Sequence, residues 1–205
     1  MNQQAAEIKR QYTLLGLLWL GFVAVALLLQ ISDGMAWASL HVGPTLDGQW
    51  WRLLTAHLTH LDWPHWAMNM LGLSLCLLVF RSDLHPGHWL ASFVFISLLS
   101  SLGLLLLYAP EQRYVGFSDV LHGWILIGAA AIAGKERRLA IAVFVLFWLK
   151  IAEENSGLTF FTSTAVSGTV ARESHILGAV AGMLYAALFL RRQWWPGKRC
   201  QPPAP

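Results

Sequence analysis

Charge is what this chain has least of. Asp, Glu, Lys and Arg together make up 12% of its 205 residues, about half the share found in a soluble domain. So few charges cannot cover a surface that faces water on every side. The net charge of +3 is small and scattered along the chain, which argues against a nucleic-acid partner. Cysteine is nearly absent. Cys76 lies deep in an apolar run and Cys200 in the C-terminal tail, so a disulfide framework and a cysteine-spaced metal site are both excluded. No internal repeat is visible, and no polar stretch is long enough to form a second, soluble domain. The length suits one domain.

What is present is hydrophobic. Apolar residues are 56% of the chain, and the 11 tryptophans suit the two belts where a membrane meets water. Six apolar runs stand out: Thr13–Ile31, Trp66–Phe80, Trp89–Ala109, Ser118–Ala133, Leu139–Ala152 and His175–Leu190. A spanning helix needs roughly 20 residues. The first and third runs reach that length; the other four must extend into polar flanks or thin the bilayer. The first run is too long for a removable signal peptide and has no convincing small-residue cleavage site after it. The expectation is an all-α polytopic membrane protein. Residues 1–192 form one six-span domain, and residues 193–205, basic and then Pro-rich, form a disordered cytoplasmic tail.

Lys and Arg orient the spans. With six spans and an inside N-terminus, the inner side holds Lys9, Arg10, Arg81, Lys135, Arg137, Arg138, Arg191, Arg192, Lys198 and Arg199. That is ten of the fourteen basic residues, the bias the positive-inside rule expects. Both termini are then cytoplasmic. Ser118, His175 and His65, which open the fourth, sixth and second spans, all reach the outer side.

This convergence carries the chemistry. On the sixth span His175, Gly178 and Gly182 share one stripe at i, i+3 and i+7. The Gly-x-x-x-Gly spacing lets a second helix approach closely, so the histidine faces a neighbour and not lipid. An ionisable group at the mouth of a membrane helix is costly and usually functional. On the fourth span Ser118, His122, Ile125 and Ala129 form a stripe, with Gly116 and Gly123 leaving room beside it. A lone membrane serine would simply bond its own backbone. A serine and a histidine meeting at two helix mouths can instead act as nucleophile and base. On the second span His65, Asn69, Gly72 and Cys76 line up, and His65 and Asn69 are donors able to hold an oxyanion.

A metal reading of His57, His60 and His65, with Asp62 as a carboxylate ligand, is the weaker alternative. No His-Glu-x-x-His pair accompanies them. These residues read better as structural parts of the loop before the second span, braced by Arg52. No cofactor and no metal are expected.

Trp51-Arg52, His60, His65 and Asn69, then Gly116-Phe117-Ser118, then His175-x-x-Gly178-x-x-x-Gly182 together resemble the rhomboid family of intramembrane serine proteases. The resemblance covers most of the chain. It implies a six-helix bundle in which Ser118 is the nucleophile and His175 the general base, a dyad without a third, acidic member. It also implies that His65, Asn69 and the Ser118 backbone N–H, beside Gly116, form the oxyanion hole. Two positions depart from the family pattern. Asp119 stands where a glycine is usual. It points about 100° away from Ser118 on a helix, toward outer water or substrate, and is not expected to complete a triad. His122 stands where an aromatic commonly packs on the base. It could bond Ser118 or His175, replace the stacking, or compete as base.

The string Gly116-Phe117-Ser118-Asp119-Val120-Leu121-His122-Gly123 looks most like the rhombosortase branch. That resemblance implies a bacterial inner-membrane enzyme whose site opens to the periplasmic side. Its substrates would be exported proteins with a C-terminal membrane helix and Gly-Gly sorting tail, entering from the lipid bilayer beside the fifth span. The rival readings are an acyl-transferring, sortase-like enzyme using the same dyad, an inactive rhomboid-like binder of membrane helices, and a small transporter or channel. The last lacks a continuous polar path.

Overall fold

The computed structural model describes residues 3–156 and 171–190. The expected tail 193–205 lies outside the described residues. So do Arg191 and Arg192.

Among the described residues the chain is helical almost throughout. Helix α1 (Gln3–Ile31) leads into a compact connection made of α2 (Gly34–Trp37), strand β1 (Leu40–His41), α3 (Val42–Leu46), α4 (Arg52–Thr55) and a 3-10 turn (Ala56–Leu58). There follow α5 (Trp63–Val79), α6 (Pro86–Leu107), strand β2 (Arg113–Tyr114), α7 (Ser118–Ile132), α8 (Arg137–Ser156) and α9 (Arg172–Phe189). Helices α1 and α6 are long and apolar enough to cross a membrane, and α7 is a shorter apolar helix of 15 residues. Large apolar side chains stand exposed along α1 (Leu17, Leu20, Leu28), α6 (Leu106, Leu107) and α8 (Leu146, Leu149). Patches of that extent mark a surface made for lipid, not water.

Local chemistry sets the helix starts. Asp62 accepts a hydrogen bond from the His65 N–H at 2.7 Å, and Pro64 occupies the first turn, where a missing N–H costs nothing. The His85 ring caps α6 in the same way, accepting from the Gly87 N–H at 3.1 Å ahead of a leading Pro86.

The connection after α1 is fastened by polar side chains rather than by a large core. The Arg52 guanidinium donates to the Ser39 carbonyl at 2.6 Å, the Ala36 carbonyl at 3.2 Å and Gln49 Oε1 at 2.8 Å. Three receptors on one buried fork hold the connection in a single conformation. Strands β1 and β2 pair antiparallel, with Leu40 opposite Tyr114, which carries the chain toward the start of α7.

Helix α7 sits at the centre and is buried on nearly every side. Its closest partner is α9. A Cβ at Gly178 would collide with the Asp119 backbone, one at Gly182 with the Gly123 backbone, and one at Gly123 would lie 2.7 Å from the Gly178 carbonyl oxygen. The two helices therefore touch backbone to backbone, the close approach that the Gly-x-x-x-Gly spacing predicts.

A second buried contact ties the connection to α7. Ser101 Oγ donates to the Leu53 carbonyl at 2.9 Å, so it can only accept from His57 Nε2–H, also at 2.9 Å. The other ring nitrogen, Nδ1, meets Asp119 Oδ1 and Oδ2 at 3.0 Å each, and neither side chain has any exposure. Asp119 thus does not face outer water or substrate. It is turned inward, where the ring of His57 satisfies a carboxylate that burial would otherwise penalise heavily. Its Oδ1 also accepts from the Val120 N–H at 2.7 Å, capping the first turn of α7.

Two stability measurements test these contacts. Gly178→Val should cost about 3 kcal/mol, the upper end of overpacking penalties, because backbone and not a flexible side chain stands in the way. Gly16→Val on α1 meets nothing within 4 Å and should leave the thermal midpoint in detergent unchanged. Asp119→Ala, which strips the buried partner from His57, should cost about 3–5 kcal/mol in the same assay.

Candidate active site

Ser118 is the first residue of α7, and the turn before it is built to present it. Gly116 has φ of +132°, a conformation open to glycine and strained for other residues. Its N–H donates to the Ala56 carbonyl at 3.1 Å, and its carbonyl accepts from the Tyr114 hydroxyl at 2.8 Å. A side chain there would also strike the His65 ring, whose Cε1 and Nε2 lie 2.9 and 3.0 Å from the place a Cβ would take. Gly116 is therefore needed twice, for the turn and for the approach of His65.

His175 enters from α9, one turn above the glycine contact. Its Nε2 lies 2.9 Å from Ser118 Oγ. Its Nδ1 lies 3.0 Å from Glu154 Oε2 on α8. His175 and Glu154 are buried. Lys150, one turn earlier on α8, donates to Glu154 Oε1 at 2.5 Å and to His122 Nε2 at 3.1 Å. His122 stacks on His175, centroids 4.0 Å apart and planes 13° from parallel. Its Nδ1–H donates to the Ser118 carbonyl at 2.6 Å. With one ring nitrogen donating and the other accepting from an ammonium, His122 is held as a neutral imidazole. Its bond goes to the Ser118 backbone and not to the Ser118 hydroxyl, so of the roles open to it the structure displays stacking.

A cavity of about 60 Å³ opens over Ser118, lined by Leu61, His65, Val115, Ala171 and Ser174 among others. The His65 Nδ1 accepts from the Leu61 N–H at 3.4 Å, which leaves Nε2 as the donor on the side of Gly116 and Ser118. Asn69, one turn deeper on α5, is buried, and its Nδ2 has no hydrogen-bond partner among the described residues. It does not line this cavity. Ser118, His65 and Gly116 are thus brought together, while Asn69 stands beneath them with an unspent donor.

Of the groups weighed as metal ligands, His57 and Asp62 are engaged elsewhere, while neither ring nitrogen of His60 has a hydrogen-bond partner among the described residues. His57 has both ring nitrogens engaged, by Asp119 and Ser101, and Asp62 caps α5. His60 is fully enclosed and packs edge-on against His65 at 5.2 Å. Burial, reinforced by the charge His65 can carry, pushes its pKa down to about 3. The donor atoms of His122, Glu154 and His175 do lie within 4.8 Å of one another. There the Lys150 ammonium bridges His122 and Glu154, already supplying the positive charge that such a cluster draws.

Glu154 is the residue sequence reasoning missed. The fifth run ends at Ala152 by hydropathy, and Glu153-Glu154-Asn155-Ser156-Gly157 reads as a loosely held end. The helix instead continues through Ser156. Gly157 lies outside the described residues. The available signal was the i, i+4 spacing of Lys150 and Glu154, which puts an acid on the same face as a lysine at the C-terminal end of an apolar helix.

The family model described as Rhomboid domain matches residues 47–192. A protein of Acanthamoeba polyphaga mimivirus that carries the rhomboid name is 35% identical over 136 residues, 63% of this chain and 70% of that protein. The family-model match contains every residue of the arrangement above, from His65 to His175. The chain belongs to the rhomboid family, whose members are intramembrane serine proteases.

Proposed function

We propose that the chain is an intramembrane serine endopeptidase of the rhombosortase type, cutting exported proteins at a C-terminal sorting segment in a bacterial inner membrane. The observation that carries this reading is the 2.9 Å contact between Ser118 Oγ and His175 Nε2 across two helices. On this reading α1, α5, α6, α7, α8 and α9 are the six crossings and both termini are cytoplasmic. Helix α7 has 15 residues, about 22 Å at 1.5 Å per residue. That is short of a hydrocarbon layer of about 30 Å, so Ser118 is recessed below the outer face and reached by water from the periplasmic side.

The chemistry follows from the atoms. A helical peptide bond is shielded by its own hydrogen bonds, and a Gly-Gly pair unwinds readily enough to offer its carbonyl. Substrate approaches from the bilayer beside α8. Ser118 Oγ bonds to the carbonyl carbon as its proton passes to His175 Nε2. Negative charge on the carbonyl oxygen is met by His65 Nε2–H and by the Ser118 N–H at the open end of α7. Asn69 can add a donor once the cavity adapts to substrate. The C–N bond then breaks, the amine leaves with the proton from His175, and water repeats the sequence to free the acyl group.

Ser118→Ala and His175→Ala should each lower cleavage of a Gly-Gly-tailed helix by several orders of magnitude in proteoliposomes, and a fluorophosphonate should label wild type at Ser118. Cleavage by Ser118→Ala at the wild-type rate would sink the assignment. The mass of the product's new C-terminus separates hydrolysis from transfer to an amine.

His122→Phe should keep measurable cleavage, because a flat ring at that position still stacks on His175. His175→Phe should be inactive. Assayed side by side at matched expression, the reverse ranking would make His122 the base.

A further inference from the structure

Resting on the protease reading, we infer that Glu154 is a positioning residue for His175, so that this chain works with a Ser–His–Glu line and not a bare dyad. The nucleophile and base come from α7 and α9, the acid from α8.

The case is one of hydrogen-bond accounting. An ionised carboxylate only accepts. Lys150 donates to Glu154 Oε1, so that oxygen is neutralised by an ammonium one turn away. Glu154 Oε2, at 3.0 Å, then requires a proton on His175 Nδ1. That fixes the imidazole tautomer and leaves the Nε2 lone pair facing Ser118 Oγ at 2.9 Å, the orientation a general base needs. When Nε2 takes the serine proton, the imidazolium lies against a carboxylate already in place. An ordinary i, i+4 pair of lysine and glutamate on a helix is solvated and worth little. Here the acid is largely withdrawn from solvent: the Glu154 side chain is 11% exposed, against 33% for Lys150, and that of His175 is 6% exposed.

The charged and titratable groups that face His175 complete the picture. From α8 they are Glu154 and Lys150, from α7 His122, and from α5 His65. His122 is committed to Lys150 and the Ser118 carbonyl, and Lys150 is cationic. Among the described residues Glu154 is the one anion in these contacts, and it is the group that holds the proton on His175 Nδ1.

The test compares wild type with Glu154→Gln, using full-length protein in liposomes and a Gly-Gly-tailed helical substrate. A glutamine can offer His175 an N–H as easily as an oxygen, which favours the wrong tautomer. Turnover should fall by at least about 10²-fold and toward the roughly 10⁴-fold loss that such an acid-to-amide change produces in Ser–His–Asp enzymes, with KM altered less than about threefold. Turnover near wild type overturns the inference, and so does a fall in turnover with the His175 tautomer the same in Glu154→Gln as in wild type, which would mark a structural role. A measurement on wild type alone covers the case of a variant that does not fold. Nitrogen NMR of histidine-labelled protein, assigned by His175→Ala, should show His175 protonated at Nδ1 and not at Nε2 at neutral pH. The opposite tautomer overturns the inference. Ser118→Ala and His175→Ala separate the two levels: if they remain active, the protease reading fails; if they are inactive while Glu154→Gln is not, only the role of Glu154 fails.

Discussion

Everything in the site depends on how closely α7 and α9 approach. Their glycines, Gly123 against Gly178 and Gly182, let two backbones meet where side chains would hold them apart. In lipid no hydrophobic gain rewards helix association, so packing this close is itself the attraction. The consequence is geometric. A serine at the first residue of α7 and a histidine one turn from Gly178 arrive within hydrogen-bond distance without any loop to reach across. Moving the helices apart by the width of a methyl group would open that contact.

The same contact explains which parts of the molecule were legible in the sequence. The six apolar runs fall on the six longest helices among the described residues, because each apolar side chain is either packed in the bundle, as along α7, or turned outward, as along α1, α6 and α8. The glycine stripe on α9 predicted a close neighbour, and the neighbour is α7. Ser118, His65 and Gly116 were legible because each opens or precedes an apolar run, a place where polar residues are conspicuous. The compact connection between α1 and α5 was not legible. Its order comes from Arg52 binding carbonyls of Ser39 and Ala36, 13 and 16 residues away, and no periodicity reports such bonds.

Asp119 and Glu154 both sit otherwise than their own helices alone suggest, for related reasons. The helix offset from Ser118 turns Asp119 toward water or substrate, yet His57, itself held by Ser101, meets both carboxylate oxygens at 3.0 Å. Hydropathy ends before Glu154, yet a lysine one turn back stabilises it in the helix and a histidine from another helix receives it. In a low-dielectric interior a charge is placed by its partner, and the partner is a tertiary fact.

These two acids also divide the labour around α7. Successive residues on a helix are turned by about 100°, so Asp119 looks away from the face that Ser118 shares with His122. Its carboxylate is engaged by His57 and cannot reach His175. An acid for the base must therefore arrive from another helix, and α8 is the helix beside His122 and His175. The outcome is a site assembled from four helices: His65 from α5, Ser118 and His122 from α7, Lys150 and Glu154 from α8, and His175 from α9. None of these residues can act alone. Helix α8 carries a broad lipid-exposed face and is packed far less tightly against α9 than α7 is. The acid thus stands on the more loosely held helix, while nucleophile and base stand on the tightest pair. Small displacements of α8 would leave the Ser118–His175 contact intact and change only what the far side of the imidazole meets.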